Sequence, residues 1–264
     1  MRISSLALLI GAWALFSHAA LAEPSEKHGN NIKTINHAFH SGEKLTYSIS
    51  WSKIFRAGGV VMEVRAETTT EGEKTYRITS SAKSVGIVSA LYPVRDTVQS
   101  IMDAEGLSSL WFNLDQKHGK RKKHREMTFD HAKGTVRLVK NGKEETFEVP
   151  PRVQDSLSSL YYLRTRQDFS NEKPIVIDVH EGGKNWSVEI QVLGREKLKT
   201  PLGEFDTIKV RTYPKYEGVF MHKAEIFIWL TDDARKVPLL MKSEIAIGSI
   251  IATLTELKQG EEAP

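Results

Sequence analysis

Residues 224–257 read AEIFIWLTDDARKVPLLMKSEIAIGSIIATLTEL. Two apolar runs flank one polar corner, residues 231–238, and a third apolar run follows Gly248. Short runs rich in β-branched and aromatic residues, bounded by Asp, Pro and Gly, are typical of buried strands. The stretch therefore predicts strand, tight connection, strand, kink and strand, in an antiparallel sheet that curls around a core.

A regular alternation of polar and apolar side chains occurs on the N-terminal side of this stretch. Residues 44–51 read KLTYSISW, and the same period of two continues at 60–65 and 76–80. This period is typical of half-buried strands. Because the connections are short, we expect an antiparallel meander, with a turn or bulge at 57–59. Residues 85–92 break the alternation and predict a helical turn or an irregular crossing.

The central part of the chain predicts more strands and one helix. The strand segments are 94–102, 107–114, 135–139, 145–149, 175–180, 186–192 and 207–212. Lys140-Asn141-Gly142-Lys143 predicts a tight hairpin, because Asn and Gly both tolerate positive φ. Residues 155–166 are the helix candidate, with Asp155 or Ser156 as its cap and Leu157, Leu160, Tyr161 and Leu163 on its apolar face.

These patterns predict a mainly β fold, a single large curled antiparallel sheet that forms an open or half barrel, with one helix packed against it. The predicted β domain covers residues 39–257. A flexible leader, 23–38, precedes it, and a frayed polar tail, 258–264, follows it.

The first 22 residues are typical of a signal peptide. Arg2 supplies the positive charge, residues 6–16 form a short apolar run, and Ala20-Leu21-Ala22 is a small-x-small cleavage signal. We therefore expect cleavage after Ala22 and export to the periplasm, with no transmembrane segment in the mature chain. The chain has no Cys, so an exported fold must be held by core burial alone.

The charge balance gives a mild preference for anionic partners. The formal net charge is +4 and the isoelectric point is about 9.0. Export makes nucleic acid an unexpected partner, whereas an anionic lipid, an acidic polysaccharide or another envelope protein remains compatible. Residues 117–125 read KHGKRKKHR and carry six fixed positive charges. They predict either an anion contact, through Lys120, Arg121, Lys122, Lys123 and Arg125, or a solvated hairpin tip that protects a sheet edge.

Aromatic residues on the predicted strands offer a second candidate binding surface. Tyr47, Trp51 and Trp229 would hold an acyl chain or a sugar ring if they lie on the concave face of a curled sheet. The alternative is that the helix around 157–163 already fills that concavity.

Three carboxylates are candidates for acid–base chemistry. Asp232 and Asp233 are adjacent, and Glu43 precedes the first strand. Paired acids can transfer protons or bind a hard cation. The alternative is structural: Asp residues in a strand connection accept backbone N–H groups, and Glu43 caps a turn or pairs with a cation. Likewise, Asp155 either pairs with Arg164 or caps the helix.

Motifs of catalysis are missing from the sequence. There is no His-Glu-x-x-His pattern, no Gly-x-Ser-x-Gly elbow and no glycine-rich phosphate loop. His37 and His40 lie close together near the predicted mature N-terminus, but they do not have the spacing of a helical metal site. We therefore expect no catalytic residue, no metal and no cofactor.

Several segments together resemble a bacterial exported family, domain of unknown function 3108. The segments are FHSGEKLTY at 39–47, DSLSSLYYLR at 155–164, TPLGEF at 200–205, WLTDDARKVP at 229–238 and GSI at 248–250. The resemblance covers about residues 39–257. It implies a large curled antiparallel sheet in the Gram-negative periplasm, and it implies no known activity.

Three functions fit the sequence. The first is a non-enzymatic periplasmic envelope protein that binds or carries an amphipathic lipid or a glycan in the curled sheet. The second is a glycan-active hydrolase or lyase that uses Asp232, Asp233 or Glu43. The third is a scaffold that docks another envelope protein.

Overall fold

The structure, a computed structural model, describes residues 36–216, 219–220, 225–244 and 248–261. The predicted signal peptide and the leader up to residue 35 lie outside the described residues. Fifteen strands belong to one sheet. They are β1 Lys44–Trp51, β2 Phe55–Thr68, β3 Lys74–Ser84, β4 Val94–Asp103, β5 Ser109–His118, β6 Arg121–Asp130, β7 Thr135–Lys140, β8 Lys143–Glu148, β9 Ile175–Glu181, β10 Lys184–Thr200, β11 Gly203–Tyr216, β12 Val219–Phe220, β13 Ile226–Thr231, β14 Pro238–Glu244 and β15 Ser249–Lys258.

The strand order is β8-β7-β6-β5-β4-β3-β2-β1-β15-β14-β13-β11-β10-β9, with β12 attached to β11. All of these ladders are antiparallel. β1 and β15, the first and last strands of the sequence, pair at its centre, so the edges are β8 and β9. Within the described residues these two edges form no ladder with each other, and the predicted open barrel is confirmed.

Within the described residues, two helices accompany the sheet, α1 Gly86–Leu91 and α2 Ser158–Thr165. The segment that leads into α2 lies between the start of β5 and the edge strand β9. The Ser109 N–H donates to Val153 O at 3.2 Å, and the Gln154 N–H donates to Asp178 O at 2.9 Å. A single parallel bridge, Gln154 to Val179, results. This path brings α2 across the concave side of the sheet.

The predicted turns follow from backbone conformation. Asn141 and Gly142 have φ values of 52° and 78°, which both central positions of the tightest hairpin turns require, and they join β7 to β8. Residues 57–59 lie within β2, where the register shifts against β1, so this segment is a bulge and not a turn. The break at 85–92 contains α1.

Both ends of the described chain are held against the sheet. Ala38 and Phe39 are buried, and the ring of Phe39 packs edge-on to Tyr161 of α2, with the centroids 5.0 Å apart. At the C-terminus, Glu261 forms a bridge with Ser41. The Glu261 N–H donates to Ser41 O at 3.0 Å, so residue 261 is paired with the segment that precedes β1.

Candidate ligand-binding cavity

A cavity lies between α2 and the concave face of the sheet. Leu157, Leu160 and Leu163 form its helix side, and side chains of β1–β4, β9–β11 and β13–β15 form its sheet side. The cavity has a volume of about 90 Å³, counted as the space open to the centre of a water molecule. On this measure one water needs roughly 10–15 Å³, so the space accepts several water-sized groups.

The period of two explains why this surface is apolar. Tyr47 and Ile49 of β1 point inward together, and Ile226 and Ile228 do so on β13. Ser80, Ser156, Ser159 and Thr212 supply polar groups among the lining side chains. The Tyr47 hydroxyl already donates to Pro238 O at 2.8 Å, and burial raises its pKa well above the usual value, so it remains protonated.

Asp155 fixes the N-terminal end of α2. Its Oδ1 accepts the N–H groups of Leu157 at 2.7 Å and Ser158 at 2.9 Å, while the Ser158 Oγ accepts the Asp155 N–H at 2.9 Å. Its Oδ2 accepts the hydroxyls of Ser100 on β4 and Ser109 on β5, both at 2.5 Å. Burial raises the Asp155 pKa more than these hydrogen bonds lower it. Asp155 therefore acts as a cap that ties the helix to two strands.

Arg164 fixes the other end of α2. Its Nη1 and Nη2 each lie 2.7 Å from an oxygen of Glu43, and both side chains are buried. Nη2 also donates to Ala38 O and Nε to Arg235 O. Arg164 therefore pairs with Glu43, while Asp155 serves as the cap. The alternative reading of Asp155 and Arg164 as partners is not what the structure shows.

A third polar cluster lies at the edge of the concavity. Arg125 on β6 forms an ion pair with Glu181 on β9 and lies over the ring of Phe112, at 5.4 Å. Burial raises the Glu181 pKa, although Arg125 opposes the rise. Burial also lowers the pKa of His180 to about 4, while its Nδ1 lies 2.7 Å from Asn185 Oδ1. We did not predict this cluster. The signal available in the sequence was a charged residue on the same period-two face as apolar residues, as Arg125 is with Met127 and Phe129 on β6.

The three aromatic candidates lie at different places in the structure. Tyr47 lines the cavity. Trp51 ends β1 and contacts the ring of Phe55 at 5.5 Å. Trp229 lies on the convex face, because Ile228 and Leu230 take the inward positions of β13. There it donates to Glu196 Oε1 and stacks under Lys209 Nζ at 4.8 Å.

The basic run forms the β5–β6 hairpin, with Gly119 and Lys120 at its turn. Four of the five candidate cations are exposed, namely Lys120, Arg121, Lys122 and Lys123. Arg125 differs, because its position opposite Leu114 points it toward the concave side and its pair with Glu181.

The three candidate acids are engaged in structural contacts. Glu43 is held by Arg164. Asp232 pairs with Arg195 at 2.9 Å. Asp233 accepts the Thr231 hydroxyl and the backbone N–H groups of Arg235 and Lys236. Partial burial raises the pKa of Asp233, but the hydrogen bonds lower it by more than burial raises it, so the pKa lies below its usual value. The 232–236 corner thus has the architecture of a turn.

Among the residues that the structure describes, no group of three His, Cys, Asp or Glu side chains is placed to hold a metal ion. None of the described helices is both long enough and apolar enough to span a membrane.

A curled, unclosed antiparallel sheet around one anchored helix defines a half-barrel protein with an apolar interior. The chain belongs to the family described as protein of unknown function DUF3108, whose profile matches residues 46–255. This match confirms the resemblance that the sequence motifs carried. No curated protein matches the sequence.

Three solved structures are similar to the chain at low identity. The chain is similar to a β-barrel-like protein of domain of unknown function DUF1849 from Brucella abortus, with 10% identity, a TM-score of 0.55 and coverage of 85% of this chain and 100% of that one. A protein from Bacteroides fragilis described as exported, with a YmcC-like fold, has 9% identity, a TM-score of 0.38 and coverage of 86% and 100%. A protein from Parabacteroides distasonis described as a lipoprotein has 11% identity, a TM-score of 0.37 and coverage of 84% and 97%.

Proposed function

We propose that this protein is a non-enzymatic protein of the cell envelope that holds an acyl chain of an amphipathic lipid in the cavity beside α2. One observation carries the proposal: the concave face of the sheet and the helix leave an apolar space between them. Pockets that bind small molecules are concave and mostly apolar, with few polar groups.

The lining favours a lipid over a glycan. Leu, Ile, Val and Met side chains dominate it. Tyr47 is the one aromatic residue among the described lining residues, and its hydroxyl donates to Pro238 O. Sugar rings are held by aromatic faces and by dense hydrogen bonding, whereas an acyl chain gains free energy from each methylene that leaves water, about 0.8 kcal/mol.

The anchors of α2 support a preformed site. Asp155 and Arg164 tie the two ends of the helix to β4, β5 and the segment before β1. Since neither anchor belongs to the cavity lining, the helix is held in place without a ligand. A site that is formed in advance loses less conformational entropy on binding. The N-terminal residues 1–22, with the features of a signal peptide, support an exported, periplasmic location.

The proposal is tested by displacement of a fluorescent fatty acid and by mass spectrometry of the intact protein after mixing with lipid extract. We expect one bound amphiphile per chain. The variant Ala252→Leu, which adds a branched side chain at an inward lining position, should weaken binding at least tenfold. Ala132→Leu, at an exposed position in the β6–β7 turn, is the matched control and should bind as the parent does.

Two results would count against this function. One is the absence of any bound amphiphile in the parent protein. The other is unchanged affinity of a folded Ala252→Leu variant, because the ligand would then lie elsewhere.

A further inference from the structure

One end of the half barrel combines exposed apolar side chains with cations. We call it the tip surface and define it by residues 51–58, 83–96 and 115–124. These are the β1–β2 turn, the end of β3 with α1 and the start of β4, and the β5–β6 hairpin. The elements touch one another: the Val85 N–H donates to Ala57 O at 3.0 Å, and the Gly119 N–H donates to Pro93 O at 2.8 Å.

Apolar side chains project from two of these elements. Ile54 is 80% exposed and Phe55 is 42% exposed, at the β1–β2 turn. On α1, Ile87 and Leu91 are 77% and 76% exposed, and their spacing of four residues puts them on one face of the helix. Three of these four are the most exposed large apolar residues in the described part of the chain. A cluster of this kind marks an interaction surface, whereas single exposed residues do not.

Cations form a row beside this apolar patch. The row crosses four neighbouring strands, with Lys83 on β3 opposite Arg95 on β4, Arg95 opposite Lys117 on β5, and Lys117 opposite Lys122 on β6. Neighbouring cations are therefore separated by one strand spacing of about 4.8 Å. All four are exposed, and no ion pair among the described residues includes any of them. Like charges in directly opposite positions destabilise a sheet, and an anion lying across the row removes that repulsion.

The net charge of the whole tip surface is positive. Its sequence contains nine Lys and Arg residues and two acids, Asp96 and Asp115. Both acids are already engaged, Asp96 with His118 and Asp115 with His124. In the β1–β2 turn, Lys53 and Arg56 directly bracket Ile54 and Phe55.

We infer that the tip surface docks on an anionic lipid bilayer, with Ile54, Phe55, Ile87 and Leu91 among the acyl chains and the cation row against lipid phosphates. Apolar side chains bracketed by Lys and Arg match the two layers of a membrane interface, the acyl boundary and the phosphate level. A soluble polyanion would use the cations and leave the apolar patch in water.

This inference does not depend on the proposed cargo, although the two are compatible in position. Most lining residues on the strands lie in the half of the strand nearer to the tip surface, as Ile49 does on β1 and Ala252 on β15. Docking would therefore bring the cavity close to the bilayer.

The absence of Cys from the chain permits a direct test by single-cysteine labelling. The full chain carrying Ile87→Cys and an environment-sensitive nitrobenzoxadiazole label is mixed with phosphatidylcholine vesicles, with and without about one-third phosphatidylglycerol. We expect a blue shift and a severalfold rise in emission only with the anionic vesicles. The control is Leu202→Cys, in the β10–β11 connection that closes the Thr200–Gly203 pair at the opposite end of the sheet.

Vesicle sedimentation then separates the contribution of the apolar side chains from that of the cations. Ile54→Ser with Ile87→Ser should weaken binding roughly tenfold for each side chain, and Lys117→Gln with Lys122→Gln roughly fivefold for each cation. All of these positions are exposed, and circular dichroism checks that the variants are folded. Ala252→Leu should dock like the parent, so failure of the cargo proposal and failure of docking remain distinguishable.

Three results would overturn the inference. The first is no emission change at position 87 with anionic vesicles, and the second is an equal change at position 202. The third is binding to soluble alginate that is abolished by the Lys117 and Lys122 changes but not by the Ile54 and Ile87 changes. That result would assign the cations to an acidic polysaccharide.

Discussion

Arg164 of α2 and Glu43 before β1 form a two-point ion pair in the interior, with both N···O distances at 2.7 Å. Burial disfavours the charged form of Arg164, but Glu43 favours it more strongly, so the Arg164 pKa is raised. The guanidinium also faces the rings of Phe39 and Tyr161, at 5.6 and 5.1 Å from their centroids. The pair thus joins the helix to the chain that enters the central strand.

Removing one partner of this pair should be costly. Because Glu43→Gln or Arg164→Met leaves the other charge buried and uncompensated, each should lower the free energy of unfolding by about 3–5 kcal/mol. The double variant Glu43→Leu with Arg164→Met should lose less than the sum of the single changes. Urea unfolding measures all three.

Lys44→Gln provides the matched control for this prediction. Lys44 follows Glu43 in sequence and pairs with Glu63 at the surface, at 2.9 Å. An exposed pair of this kind contributes less than about 1 kcal/mol. Equal losses at Lys44 and Glu43 would contradict the role assigned to the buried pair.

Asp155→Asn should loosen the N-terminal end of α2. An amide has one acceptor oxygen, so it cannot accept both from the two helix N–H groups and from the hydroxyls of Ser100 and Ser109. We expect a loss of about 2 kcal/mol in the free energy of unfolding, measured by urea unfolding. Ser100→Ala in the Asp155→Asn background should add little, since its partner is already lost; full additivity would argue against a shared network.

His180 should make stability depend on pH. Its folded pKa of about 4 lies below the ordinary value of 6.5, so the unfolded state binds more protons between these two values. The free energy of unfolding should therefore fall as the pH is lowered from 6.5 toward 4, by about 3 kcal/mol from this residue.

The His180 effect is isolated by comparing the parent with His180→Gln across that pH range. Asp155 and Glu181, whose pKa values are raised, are present in both proteins. The difference between the two curves should shrink as the pH falls. His124→Gln is the control, because His124 is exposed and pairs with Asp115 at the surface. Parallel curves for the parent and His180→Gln would contradict the prediction, because they would show that His180 has the same pKa in the folded and unfolded states.

Gly58→Ala should destabilise β2. A Cβ at this position would lie 2.6 Å from Lys83 O, in the backbone of the neighbouring strand. We expect a loss of about 1–3 kcal/mol, seen as a lower urea midpoint. Gly59→Ala is the control, because its Cβ would lie 3.4 Å from the nearest atom, Tyr47 O. A wild-type midpoint for Gly58→Ala would mean that the two strands can separate at no cost.

Local patterns were sufficient for most of the sheet. Alternation in 44–51 predicted β1, and Asn141-Gly142 predicted the β7–β8 hairpin, because both signals act between neighbours in sequence. The candidate site was harder. The pairing of Glu43 with Arg164, 121 residues apart, and the inward orientation of Arg125 depend on which strands meet.

The amino-acid sequence by itself determined the fold class, the period-two faces, the family and the charge of the β5–β6 hairpin, since each is a property of residues close together in the chain. The tertiary structure decided which acids are structural, which aromatic residue reaches the cavity, and that cations from four strands form one row beside apolar residues from two other elements. Those outcomes depend on strand register and on the path of α2 across the sheet, which long-range packing sets.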